Sequence, residues 1–261
     1  FRVRATYLYG HSQGSFFAFL YAGTWPDEVQ GVVGQASGVW IGTPMGKKCH
    51  QLAIVLMHGT ADPVVPYGQS VGGYEAYRDA GHERVRLRSL DGWNHWPNAP
   101  QTEQQLAWCE GMTTTDPERL AVAFAALAEG REGIDPVALF QVASRAATFD
   151  GVPADTKQRA AAEVEAVEAA ATAHVRALEP ANKAKGKLDD APWVGHLPLF
   201  LRHFRGVPAC DRLAESWQKT LDAQQKAAKE HGKDFWRQQD EPAKAFAAGC
   251  ALVREAFLTT Q

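Results

Sequence analysis

The sequence predicts an α/β protein in two parts: a parallel-sheet region over residues 1–112 and an all-helical region over 113–261. Three observations predict this. Short apolar runs alternate with helix-like segments as far as about residue 112. One of these runs, Leu52–Met57 (LAIVLM), is apolar without a break, as expected of a strand buried on both faces of a parallel sheet. Beyond Thr113-Thr114-Thr115 the composition shifts to Ala, Glu, Lys and Gln, and no further strand pattern follows.

Taken in order, the expected strands are Val3–Tyr9, Gly31–Ser37, Leu52–Met57 and Val85–Leu90. The last alternates apolar and basic residues (VRLRSL), which suits a strand nearer a sheet edge. Helices are expected at Ser15–Ala22, Tyr67–Ala80 and Thr102–Gly111, with Trp25-Pro26 ending the first and packing beneath the sheet. In the second region, Asp116-Pro117 and Asp135-Pro136 each read as a capping carboxylate followed by proline in the first helical turn. Helices are expected at 117–129, 136–148, 154–178, 191–204, 208–230 and 234–258. Trp193, Leu197, Phe200, Leu201 and Phe204 recur at 3–4 residue spacing and read as a core-facing stripe. Lys183, Lys185 and Lys187 read as a solvated basic loop.

Bulk properties narrow the function classes. The 261 residues carry a formal net charge of −3 and are 45% hydrophobic, which suits a globular chain of one or two domains. The charge balance argues against a general nucleic-acid binder, which needs a basic face. No apolar run approaches the roughly 20 residues needed to cross a bilayer. The first residue is Phe and no signal-like segment precedes the first strand, so the sequence gives no basis for choosing between cytoplasmic and secreted. Cys49, Cys109, Cys210 and Cys250 fall two in each half, compatible with one disulfide per half or with buried free thiols. None has the Cys/His spacing of a zinc site, and no cofactor or metal is expected.

Gly10-His11-Ser12-Gln13-Gly14 is a G-x-S-x-G motif between a strand and a helix. A strand that turns into a helix within a few residues puts its serine on a tight bend with the hydroxyl projecting. Gly10 and Gly14 are expected to remove Cβ atoms that would collide at that bend. A serine hydroxyl needs a base to take its proton, and the base works best when a carboxylate orients it. In this kind of sheet those partners follow in the order acid, then histidine. Asp62 is the acid candidate, in His58-Gly59-Thr60-Ala61-Asp62-Pro63-Val64-Val65-Pro66 after the buried strand, where Gly59 permits a sharp exit. Carboxyl ends of parallel strands are where catalytic groups gather. His95 is the base candidate, in Trp93-Asn94-His95-Trp96-Pro97 after the strand Val85–Leu90. Asp91 is a rival acid, disfavoured because it shares a short loop with His95. His11, His50, His58, His82, His174, His196, His203 and His231 are read as packing or surface residues. Trp93 and Trp96 either wall a pocket for an acyl or aromatic group or are structural.

GHSQG at 10–14, HGTADPVVP at 58–66 and WNHWP at 93–97, in this order, resemble the α/β-hydrolase superfamily. Within it they are similar to dienelactone hydrolases, carboxylesterases and polyhydroxybutyrate-depolymerase-like esterases. The resemblance covers residues 1–112; the helical remainder matches no family. Spacings of 50 residues from Ser12 to Asp62 and 33 from Asp62 to His95 leave no room for a large inserted lid. The resemblance implies a serine esterase acting on small or polymeric esters. Ser12 attacks the carbonyl, His95 takes the proton, Asp62 steadies the imidazolium and an acyl-enzyme forms. It implies the Gln13 backbone N–H as one oxyanion donor. It also implies that this region is the C-terminal half of an α/β-hydrolase sheet. The strands before the serine and the loop with the second oxyanion donor are then supplied by an N-terminal segment or a second chain.

Two other functions fit the same residues. A serine peptidase of the prolyl-oligopeptidase type uses the same triad order. A non-catalytic interaction protein would use the helical region and leave the hydrolase part inert.

Overall fold

The structure, a computed structural model, describes residues 3–37, 45–129, 133–183, 200–201, 203–216, 252–253 and 256, with side chains given to Arg176 within the helix that ends at Lys183. Four strands lie in chain order in one parallel sheet: β1 (Tyr7–His11), β2 (Gly31–Gln35), β3 (Ala53–Gly59) and β4 (Val85–Leu90). The register sets His11 beside Gln35, Gln35 beside Met57, and Met57 beside Arg88. The carboxyl ends of all four strands therefore meet at one edge. Parallel neighbours need crossovers, which are α1 (Gln13–Thr24) after β1 and α2 (Gly68–Asp79) after β3. A short 3-10 turn, Lys47–Cys49, precedes β3.

Helices cover both faces of the sheet. Gly31 and Gly34 are three residues apart on β2, so they face opposite sides. A Cβ at Gly34 would lie 2.4 Å from the Phe19 ring of α1, and one at Gly31 would lie 3.3 Å from Cys109 Cβ of α3 (Ala99–Thr113). Phe19 and Cys109 thus sit in two layers around a sheet whose central strands β2 and β3 are buried at every position.

The helical region follows as α4 (Pro117–Glu129), α5 (Pro136–Thr148), α6 (Ala154–Lys183) and α7 (Pro208–Ser216). α4 and α5 pack on α3, and α6 packs on α5. Asp135 caps α5, its Oδ1 accepting from Val137 N (3.2 Å) and Ala138 N (3.1 Å). Asp116 likewise accepts from Glu118 N (3.0 Å) at the start of α4. One contiguous core includes Leu56 of β3, Trp108 of α3, Phe124 of α4, Val142 of α5 and Phe204. No helix among the described residues is long and apolar enough to cross a membrane.

Several local expectations are corrected. β1 starts at Tyr7, not Val3, because pairing with β2 begins there; upstream, Thr6 N donates to the Gln30 side chain instead (2.7 Å). α3 starts at Ala99 because the Asn98 side chain accepts from Gln101 N (3.2 Å) and Pro100 sits in the first turn. β4 is an edge strand of this sheet, but its basic residues do not face solvent. Arg86 is buried against Asp135 (2.6 Å) and over the Trp108 ring (5.4 Å). Trp25 ends α1 as expected, but is half exposed against Tyr21 rather than beneath the sheet. Cys49, Cys109 and Cys210 are free and buried, so a disulfide between Cys49 and Cys109 is not formed. Burial pushes the Cys210 thiol up to about 12. Cys250, Trp193, Leu197, Lys185, Lys187, most of the helices expected at 191–204 and 234–258, and the part of the helix expected at 208–230 that follows Ser216 lie outside the described residues.

Candidate active site

Ser12 occupies the single residue between β1 and α1, with φ 52° and ψ −122°. Positive φ is uncommon for a residue with a side chain and is concentrated at functional turns. Two bonds hold it there. Ser12 N donates to Gln35 O of β2 (2.8 Å), and Ser12 O accepts from Ser15 N (3.0 Å). Beneath the turn, the buried Ser15 hydroxyl reaches Gly10 O (2.7 Å) and Gln35 O (2.9 Å). The two motif glycines are not equivalent. A Cβ at Gly10 would sit 2.4 Å from Gly14 O and 2.6 Å from Ser15 Cα, whereas one at Gly14 meets nothing within 4 Å. The collision expected for both is real only at Gly10. Gln13 opens α1, where the first-turn N–H groups lack intrahelical partners.

The second cluster forms after β3 and β4. Asp62 Oδ2 accepts from His95 Nδ1 at 2.8 Å, and the Asp62 side chain is fully buried. Asp62 Oδ1 accepts from Val64 N (2.8 Å) and Val65 N (2.9 Å), folding the loop around the carboxylate. Burial alone would raise the Asp62 pKa. The N–H groups of Val65, His95 and Val64 and the His58 ring outweigh it and hold the carboxyl below its ordinary range. Because Nδ1 of His95 faces an acceptor it carries the proton, which leaves the lone pair on Nε2.

Backbone bonds bind the two loops together. Thr60 N donates to Leu90 O and Ala61 N to Trp93 O, both at 3.0 Å. Gly59 is required by this approach: a Cβ there would lie 2.2 Å from Trp93 O. Asp91, the rival acid, accepts from the Thr60 hydroxyl (3.3 Å), while His95 pairs with Asp62.

His11 joins the two clusters. Its Nε2 donates to His95 O at 2.6 Å, and the two rings lie 4.9 Å apart. The residue next to Ser12 thus pins the backbone of the candidate base. Ser12 Oγ itself makes no hydrogen bond to a described residue, and neither does His95 Nε2. Trp93 and Trp96 are exposed on the same rim, at 39% and 68%. Trp96 O accepts from both Gln35 Nε2 (2.9 Å) and Trp93 Nε1 (2.8 Å), so the loop is fixed while the indoles face solvent.

Besides His11, other histidines read as packing or surface residues have specific partners, and His82 Nε2 donates to Met45 O (2.9 Å). His58 is wholly buried with Nε2 3.1 Å from Asp62 Oδ2. Its signal was its place four residues before Asp62 at the carboxyl end of a fully buried strand. His203, from the helical region, accepts the Leu87 N–H of β4 (3.3 Å). His50 and His82 pack edge to face at 4.4 Å. Among the described residues, no group of three or more His, Cys, Asp or Glu is placed to hold a metal ion.

Residues 2–104 match the phospholipase/carboxylesterase family model of the α/β hydrolases. No curated protein and no solved structure gives a significant match to the chain. The matched segment contains the sheet, the Ser12 turn and the Asp62–His95 pair. The match supports an α/β-hydrolase fold over these residues and a hydrolase of the phospholipase/carboxylesterase kind.

Proposed function

We propose that the chain hydrolyses carboxylic esters through an acyl-enzyme, with Ser12 as nucleophile, His95 as general base and Asp62 as the carboxylate that orients it. The observation that carries this reading is a convergence at the carboxyl edge of one sheet. A serine held at positive φ and a carboxylate-bound histidine both lie at that edge, and His11, next to Ser12, bonds the histidine's backbone oxygen.

The steps follow from the proton positions. Ser12 Oγ adds to the ester carbonyl as its proton passes to His95 Nε2, and Asp62 stabilises the resulting imidazolium. The Gln13 N–H, at the start of α1, faces the oxyanion. His95 then protonates the leaving alcohol, leaving an acyl group on Ser12. Water attacks that ester as His95 takes its proton, and the acid leaves with Ser12 restored. Trp93, Trp96 and the exposed Val64 form an apolar rim suited to an acyl chain or aromatic group of a small or polymeric ester. A further segment or a second chain pairing with β1 would cover the exposed Phe17 and Leu20 of α1 and Trp25 at its end, and bring a second oxyanion donor.

Turnover of p-nitrophenyl esters by the full chain, compared with Ser12→Ala, tests the reading. The expected loss is about 10⁴-fold or more. Equal turnover by the variant overturns it. Cleavage of peptide amides without ester turnover assigns the same residues to a peptidase.

A further inference from the structure

We propose that His58 is a positioning residue: a second imidazole that holds the Asp62 carboxylate in line with His95 and competes with His95 for Oδ2. Its catalytic consequence rests on the esterase reading; its effect on the titration of His95 rests on the geometry alone.

A carboxylate offers about four lone-pair sites, and Asp62 fills them with four N–H groups. Val64 and Val65 bind Oδ1, and His95 (2.8 Å) and His58 (3.1 Å) share Oδ2. His58 is itself anchored on every side. Nε2 also points at Val65 O (3.0 Å), Nδ1 bonds Ser70 Oγ of α2 (2.6 Å), and the Ser70 hydroxyl bonds Ser37 O just past β2. Tyr67 packs its ring edge-on at 5.7 Å. The ring therefore ties the acid loop to β3, α2 and the end of β2. A buried polar ring is costly unless its partners are complete, and an apolar side chain would fill the space without that demand.

Proton counting fixes its role. Oδ2 and Val65 O are acceptors only, so Nε2 of His58 carries a proton. The Ser70 hydroxyl has one proton for two acceptors. Directed to Nδ1 it leaves His58 neutral; directed to Ser37 O it requires a proton on Nδ1 as well. Burial, partly opposed by Asp62, lowers the His58 pKa and favours the neutral ring. In either state the Nε2–H is shared between Oδ2 and Val65 O. Each bond accepted there draws charge from the other, so His58 weakens the hold of Asp62 on a protonated His95 while fixing the carboxylate's orientation. The other titratable groups facing this pair are His11, 4.9 Å from the His95 ring, and Tyr67 beside His58.

The test is an NMR titration of His95 in the full chain, in His58→Gln, which keeps an N–H donor, and in His58→Leu, which removes it. The expected His95 midpoint rises by about half to one pH unit in His58→Leu and stays near the parent value in His58→Gln. For ester turnover, kcat falls on the order of tenfold in His58→Leu with KM unchanged, the acid limb moves with the titration, and His58→Gln restores both. A folded His58→Leu with the parent's His95 midpoint overturns the proposal. If His58→Leu does not fold, Ser70→Ala removes the outer anchor, and an unchanged His95 midpoint there overturns it equally. A parent that titrates as described but turns over no ester removes the esterase reading and leaves the positioning role standing. Ester turnover with a His95 midpoint indifferent to His58 does the reverse.

Discussion

The two edges of the sheet are finished in different ways. At β4 the chain's own helical region supplies the cover. Leu87 N donates to His203, His203 stacks on Tyr74 at 4.9 Å, and Arg86 is turned inward to Asp135 of α5. At β1, no described strand pairs with the outer edge. Beside it α1 exposes Phe17 at 72% and Leu20 at 61%, and Trp25, which ends the helix, is exposed at 50%. Exposed strand edges are templates for pairing, and clustered apolar exposure marks interfaces. One edge is closed by specific polar anchors over an apolar core; the other has no partner strand among the described residues and exposed apolar side chains beside it.

The largest expected effect breaks the β4 side. Asp135→Ala removes both the α5 cap and the countercharge of Arg86, whose Nε and Nη1 have no hydrogen-bond partner among the described residues. Breaking a buried pair from one side costs about 3–5 kcal/mol, measured here by denaturant unfolding. A loss under about 1 kcal/mol would mean that the pair does not anchor the cover.

The same anchor sets an acid limit. Burial raises the Asp135 carboxyl, but the charges of Arg86 and Arg88 overcome it and hold it well below its ordinary 3.8. A carboxylate depressed on folding gives stability that is full above the unfolded value and is lost as pH falls through the folded one. Asp62 acts in the same sense. His58, lowered by burial from 6.5, adds an earlier loss, because below that value the unfolded chain takes up a proton that the folded ring resists. Thermal melts from pH 8 to pH 3 are expected to show stability falling below about pH 6.5 and more steeply below about pH 4. His58→Gln reduces the first part, to which the burial-lowered His82 and His174 also contribute, and Asp135→Asn reduces the second.

Smaller effects sharpen the contrast. His203→Ala leaves the Leu87 N–H without its partner and is expected to cost about 1–3 kcal/mol. On the β1 side, Phe17→Ser and Leu20→Ser change unfolding free energy by no more than about 0.5 kcal/mol. A large destabilisation there would show that α1 is covered by the rest of the chain.

The sheet was legible because each strand carries a local signature: an unbroken apolar run at β3 and apolar-basic alternation at β4. The caps Asp116 and Asp135 were equally legible, since capping chemistry lies within three residues. Asn98 carried the same signal four residues before α3 was expected to begin. What sequence could not supply was long-range partnership. Arg86 reads as an exposed basic residue until Asp135, 49 positions away, is folded against it. His58 reads as packing until the loop returns Asp62 to its Nε2. Equivalent symbols in a motif also hide unequal roles: Gly10 is enforced by backbone contact, and Gly14 is not.

The central claim is that Ser12 is activated by the carboxylate-held His95. Covalent labelling of the full chain by a fluorophosphonate, with the adduct located by mass spectrometry, tests it most directly. The account predicts a single adduct on Ser12, slowed by orders of magnitude in His95→Asn and Asp62→Asn. A folded chain left unlabelled at Ser12, or labelling at the same rate in both variants, would contradict it.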